Sequence, residues 1–232
     1  MNSETGILLH VVRYGDTRII LRVFSREKGV RSVIGRPRKH APVPTPLSLL
    51  SMSVHFRDQV QVVQARDLCV ERPVAGLPDD IAKSSMAMFI SEVLHRSLPD
   101  GYVNEGLYDY LIAEIGLLSD YPASYTTPLY FMLRLTHYYG FYPADDGQGT
   151  WFSLKDGTFQ DRVPVSDAAM DQAGSALLRR LMAADEDHSR SAVFSLDERR
   201  YLMHKLLEYL KLHVEGMGRI KSLEVLEAVF GD

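Results

Sequence analysis

One short segment, "RPVAGLPDD" at residues 72–80, divides this chain into two kinds of sequence. Before it, apolar residues alternate with polar ones at a period of two. After it, they recur every three or four residues. A segment patterned for strands cannot bury its apolar face as a helix, nor the reverse. The chain is therefore constrained to a β part followed by an α part, joined where Pro, Gly and Asp interrupt both periods.

The first part reads as five short strands. "TGILLHVVRYG" runs up to a turn at Tyr14, Gly15 and Asp16, and "TRIILRVFS" sets Ile19, Leu21 and Val23 against Arg18, Ile20 and Arg22. "REKG" is a turn in which Gly29 supplies a positive φ, and "VRSVIG" is a third strand. "LLSMSVHFR" alternates Leu50, Met52, Val54 and Phe56 with polar residues, and "QVQVVQARDLCV" follows. Such a set closes into a small barrel of the OB type, and an SH3-like barrel has the same strand count.

In the second part, Met86, Phe89, Ile90, Val93, Leu94 and Leu98 lie at helical spacing from Ile81 onward. So do Leu107, Leu111, Ile115 and Leu118, then Leu129, Met132, Leu133, Thr136 and Tyr139. Ser195 with Glu198 forms a capping box, predicting a helix from there to about His213, and a last helix covers roughly Lys221 to Phe230. "TWFSLKDGTFQ" reads as a hairpin turning at Asp156 and Gly157. The fold class is α+β multidomain: an N-terminal OB-fold β-barrel over residues 1–76, then a mainly α-helical domain over 77–232 with a small β-hairpin near 150–160.

Composition matters mainly through its asymmetry. The net charge of −4 conceals +6 on residues 1–72 and −10 on the remainder. That split suits an N-terminal unit made for a polyanion and a C-terminal unit that is not. Cys69 is the only cysteine, which argues against a disulfide framework and a Cys-rich zinc site. Acidic Glu4 and the interrupting Arg13 break any signal-peptide pattern, and no apolar run reaches the ~18 residues of a membrane span, so the expectation is a cytoplasmic protein without a membrane association.

Catalytic patterns are sparse. His204 and His213 fall on opposite faces of one predicted helix, and His137, Asp145 and Asp146 have no ligand periodicity. Asp145, Asp146 and Gly147 begin like a calcium loop whose later ligands are missing. No P-loop, GxGxxG or GxSxG is present, so neither an enzyme nor a cofactor is expected.

The basic residues are more informative. Arg18 and Arg22 share one face of their strand, Arg31 joins from the neighbouring strand, and Arg13 ends the strand before. Arg36, Arg38 and Lys39 extend the set into "GRPRKHAPVPTPLS", a loop stiffened by proline. His10, Tyr14 and His55 offer stacking surfaces, whereas Phe24 and Phe56 are in phase with core residues. A solvated charged face is the plainer account. Three cations within four residues on a barrel favour nucleic acid, with phosphates giving salt-dependent affinity and stacked bases about 1–3 kcal/mol each.

The order of these pieces resembles the RecO family of recombination mediators. "TGILLHVVRYGDTRIILRVFSREKGVRSVIGRPRK" is similar to the family's opening, and Pro46 to Leu50 to the segment that re-enters the barrel. "RLTHYYGFYP" resembles a helix end leading to an aromatic-Gly-aromatic-x-Pro turn, and "LLEYLKLHV" with Ile220 to Leu223 the terminal helices. The resemblance implies binding to single- and double-stranded DNA, strand annealing, partnership with RecR and single-stranded DNA-binding protein, and loading of RecA during DNA repair near the nucleoid. It implies a partner pocket in the helical domain, for which Arg134 is the candidate. Some members carry a four-cysteine zinc site after the "GFYP"-like turn; this chain has "ADDGQGTWFSLKDGTF" there, so no zinc is expected. Two alternatives keep the same residues: an OB-fold RNA-binding protein, and a non-catalytic adaptor whose basic loop contacts acidic tails.

Overall fold

The computed structural model describes residues 2–36, 44–54, 62–166, 168–186 and 192–231. Strands β1 (Asn2–Tyr14), β2 (Arg18–Ser25), β3 (Gly29–Gly35), β4 (Leu49–Val54) and β5 (Val62–Arg72) form a closed barrel in the order β1-β2-β3-β5-β4. Every pairing is antiparallel except β3 with β5. That order and the single parallel contact make it an OB fold. The alternation read from the sequence fills the interior: Leu21, Val23, Val33, Leu50, Met52, Val54, Ala65 and Leu68 pack there with Leu8.

Closure depends on the length of β1. It pairs with β2 from Gly6 opposite Ser25 to Tyr14 opposite Arg18, while its first half also pairs with β4 from Asn2 to Ile7. The register against β2 shifts between Leu8 and His10, a bulge that leaves Leu9 out of the ladder. Leu47 and Ser48 then continue the β4 side, with hydrogen bonds from Leu8 N to Ser48 O (2.9 Å) and from Leu47 N to Leu8 O (3.0 Å).

The chain divides into two compact units, one of residues 1–123 with 220–229 and the other of 124–219 with 230–232. The change from strand to helix near residue 76 thus precedes the division between units. In the first unit, α1 (Ile81–Ser97) and α2 (Glu105–Asp120) start on the side-chain caps Asp80 and Asn104. The connector between them is stitched to the barrel. Val30 N donates to Tyr102 O at 3.0 Å, Gly101 N donates to Val30 O at 2.8 Å, and Arg26 bridges both Glu105 and Asp109. Helix α6 (Ser222–Phe230) joins the same unit through Glu92, whose carboxylate accepts from Lys221 N, Ser222 N and Ser222 Oγ.

The second unit contains α3 (Thr127–Tyr138), the hairpin β6 (Trp151–Ser153) and β7 (Thr158–Gln160), β8 (Ala169–Met170), α4 (Gln172–Glu186) and α5 (Leu196–His213). The hairpin occurs where the sequence predicts it, with Gly157 at φ 68°, and β8 adds a third strand in the order β7-β6-β8. Both halves of the Ser195–Glu198 capping box form at the start of α5. Phe152 packs against Phe159 and Tyr209, and the Tyr209 hydroxyl donates to Phe141 O at 2.6 Å.

Gly29 has φ +66°, and a Cβ there would overlap the Tyr102 carbonyl oxygen. Gly29→Ala therefore combines left-handed backbone strain with a backbone clash. It should lower stability by more than about 1 kcal/mol, read as a lower urea midpoint at unchanged m-value.

Candidate nucleic-acid interface

Directly paired residues project to the same side of a sheet. Tyr14 lies opposite Arg18, and because Ile19 lies opposite Gly35, the next pair across β2 and β3 is Arg18 with Arg36. Ile34 lies beside Gln64 on β5, and buried Ala65 fixes Gln64 and Arg66 to the outside. Tyr14, Arg18, Ile34, Arg36, Gln64 and Arg66 thus share the outer face of the barrel. Arg18, Arg36, Gln64 and Arg66 line a concavity of about 430 Å³ together with Asp67. Among the described residues none of these three arginines forms an ion pair, whereas Asp67 accepts a hydrogen bond from Ser53 Oγ at 3.2 Å. The concavity thus gathers three guanidinium groups without ion-pair partners among the described residues, and one carboxylate.

The remaining sequence candidates separate. Arg13 is exposed and lies opposite Ile19, so it points to the other side of β1 from Tyr14. Arg22, expected to extend the groove, instead donates to Leu98 O at 2.7 Å and pairs with Asp100 at 2.7 Å; its side chain is only 18% exposed. Arg31 sits beside Gly101 on the same connector. Both are drawn to the end of the barrel that the α1–α2 connector covers. Arg38, Lys39, His55 and Phe56 lie outside the described residues. Phe24 is fully buried, as expected of a core residue, but on the outer side of β2 with Arg18 and Arg22, where Tyr108 of α2 covers it. In the second unit Arg134 is committed to α4, donating to the Asp185 carboxylate and to Asp185 O, each at 2.8 Å.

A second concavity lies along β1. The Leu9 carbonyl released by the bulge accepts the Ser91 hydroxyl of α1, and one helical turn later His95 stacks on His10 with ring centroids 4.3 Å apart and planes 16° from parallel. This pair lines a cavity of about 400 Å³ with Met88, Arg96, Lys221 and Val225. Burial pushes the His95 imidazole down to about 4, helped by His10, Arg22 and Arg96 and opposed by Glu92. His10 is lowered for the same first reason. Burial disfavours ionised Glu92, but the hydrogen bonds from Ser222 and Lys221 outweigh it and hold the carboxyl below its usual range.

A family model described as the C-terminal part of recombination protein O matches residues 78–224. The chain belongs to the RecO family. Similar chains include the DNA repair protein RecO of Azobacteroides pseudotrichonymphae, 26% identical over 234 residues and 97% of each chain. Those of Phocaeicola vulgatus, at 28% over 239 residues, and Bacteroides fragilis, at 28% over 242, each align over 99% of both chains. The RecO resemblance read from the sequence thus extends over nearly the whole length.

The four-cysteine zinc site of some RecO members does not fit the residues here. The only cysteine, Cys69, lies on β5, and the turn after Pro143 places Asp145 in a two-pronged pair with Arg179 at 2.7 and 2.9 Å. Among the described residues, no three of His, Cys, Asp and Glu are grouped to hold a metal ion. No helix among them is long and apolar enough to cross a membrane.

Arg66 was missed, although the alternation of Val63, Gln64, Ala65 and Arg66 carries its signal. His95 had no signal, because its partner is far away in sequence. The His95 environment also sets a pH dependence. Unfolded, His95 takes up a proton near 6.5, but folded only near 4. Between those values the unfolded chain binds more protons, so this contribution is present above about 6.5 and lost as pH falls towards 4. Thermal melts across that window should therefore show a smaller acid-induced drop in Tm for His95→Phe than for the parent.

Proposed function

We propose that the outer face of the barrel binds single-stranded DNA, and that the chain acts as a recombination mediator in DNA repair. The observation that carries this reading is the cluster of Arg18, Arg36 and Arg66 around one concavity, without ion-pair partners among the described residues. Guanidinium groups placed this way displace counterions from phosphates, while exposed Tyr14, 56% accessible, offers a ring for a base. Neutralising the backbone of one strand also reduces its repulsion of a complementary strand, which is the physical basis for annealing. The same charge interaction serves double-stranded DNA.

Membership of the RecO family and relatives named for DNA repair support the wider role. In that role the chain works in the cytoplasm at the nucleoid with RecR, and helps load RecA onto strands coated by single-stranded DNA-binding protein. It is a non-catalytic role, in which binding and release do the work and no zinc is required. Arg134, the candidate for the partner contact, is engaged by Asp185 within the helical domain.

Replacing Arg18, Arg36 and Arg66 together with Ala tests the reading. For three lost phosphate contacts, the slope of log affinity against log salt on a single-stranded oligonucleotide should become shallower by about 2. Annealing of complementary oligonucleotides should slow in parallel, with unchanged thermal stability. An unchanged slope would sink the assignment of this face.

A further inference from the structure

We infer that the cavity over the His10–His95 pair is a base-stacking site on the path of single-stranded DNA. The inference rests on the reading of the barrel's outer face as the DNA-binding surface.

The cavity's own groups define its occupant. Met88 and Val225, both substantially exposed, supply apolar walls, while the stacked imidazoles give a flat platform whose outer ring, His10, is exposed. Most of the surrounding polar groups are already engaged. Ser91 donates to Leu9 O, and Glu92 receives the hydrogen bonds from the first residues of α6. His95 Nδ1 is the exception, buried and without a hydrogen-bond partner. Arg96 and Lys221 stand at the rim, and Arg96 lies 3.9 Å from Glu92, a loose contact already shared with three stronger donors.

An occupant must therefore present a flat apolar face and a negative group in one small unit. A nucleotide of a DNA strand has both: the base face for His10, and the phosphate for Arg96 and Lys221. Both imidazoles are shifted towards the neutral form, which suits a π platform better than a charged one. A metal ion is a poor fit, since nitrogen lone pairs lie in the ring planes and those planes are 16° from parallel at 4.3 Å.

Position links the site to the arginine cluster. His10 lies on the same face of β1 as Tyr14, four residues along, with exposed Val12 between them. At ~3.3 Å per residue that separation is ~13 Å, a span that a single strand covers in a few nucleotides. A strand whose phosphates sit at Arg18, Arg36 and Arg66 can thus follow the Tyr14–Val12–His10 ridge into the cavity.

The test uses the full chain and two probes of equal length: a single-stranded oligonucleotide, and a matched one with abasic sugars replacing its bases. His10→Ala should weaken binding of the first roughly 5- to 160-fold, the range for losing one stacked base. It should leave the salt slope and the binding of the abasic probe unchanged, and His10→Phe should restore most of the loss. If His10→Ala binds like the parent while the triple arginine variant is impaired, the stacking site is wrong and the barrel assignment stands. If neither variant changes binding, both fail. Equal loss on the two probes would overturn stacking in favour of a purely electrostatic or structural effect of the substitution.

Discussion

The structure of the first unit depends on one strand serving two ladders. β1 pairs along its length with β2 and through its first half with β4, so the sheet closes and loses the free edges that would invite pairing with other chains. One residue leaves the ladder just beyond the doubly paired stretch. The bulge at Leu9 frees a carbonyl that Ser91 takes, and the Ser91 contact fixes α1 with His95 beneath His10. A backbone irregularity in a strand thereby determines which helical side chain faces which barrel side chain.

Coverage, rather than charge, separates the arginines. Arg18 and Arg22 lie four residues apart on the same side of β2, yet one lines an open concavity and the other is turned into a contact with Leu98 and Asp100. The difference is the α1–α2 connector, which crosses one end of the strand. A guanidinium there satisfies the carbonyl of Leu98, the residue that caps α1, a role that suits a cation near a helix C-terminus. The positive charge of the first part of the chain is thus divided between holding the unit together and facing outward.

Much of this was legible in the sequence because the relevant forces are local. Period-two alternation gave the interior of the barrel, the Ser195–Glu198 spacing gave the start of α5, and Gly29 and Gly157 marked turns that need positive φ. What local pattern cannot convey is which surface is covered from afar. Arg22 meets a carbonyl 76 residues on, and Arg134 meets Asp185 at a separation of 51. Arg66 and the Leu178, Leu181 and Met182 stripe of α4 are different, since the first follows a period of two and the second a helical period, both present in the local sequence.

The return of α6 to the first unit carries a consequence for synthesis. The Glu92 carboxylate is made early, but its donors on Lys221 and Ser222 follow 129 and 130 residues later. At roughly 5–20 residues per second, the barrel and its first helices leave the ribosome many seconds before the element that caps them. During that interval the His10–His95 cavity lacks its Lys221 and Val225 wall. A chain halted at residue 219 would contain nearly all of the second unit and still have an unfinished first one.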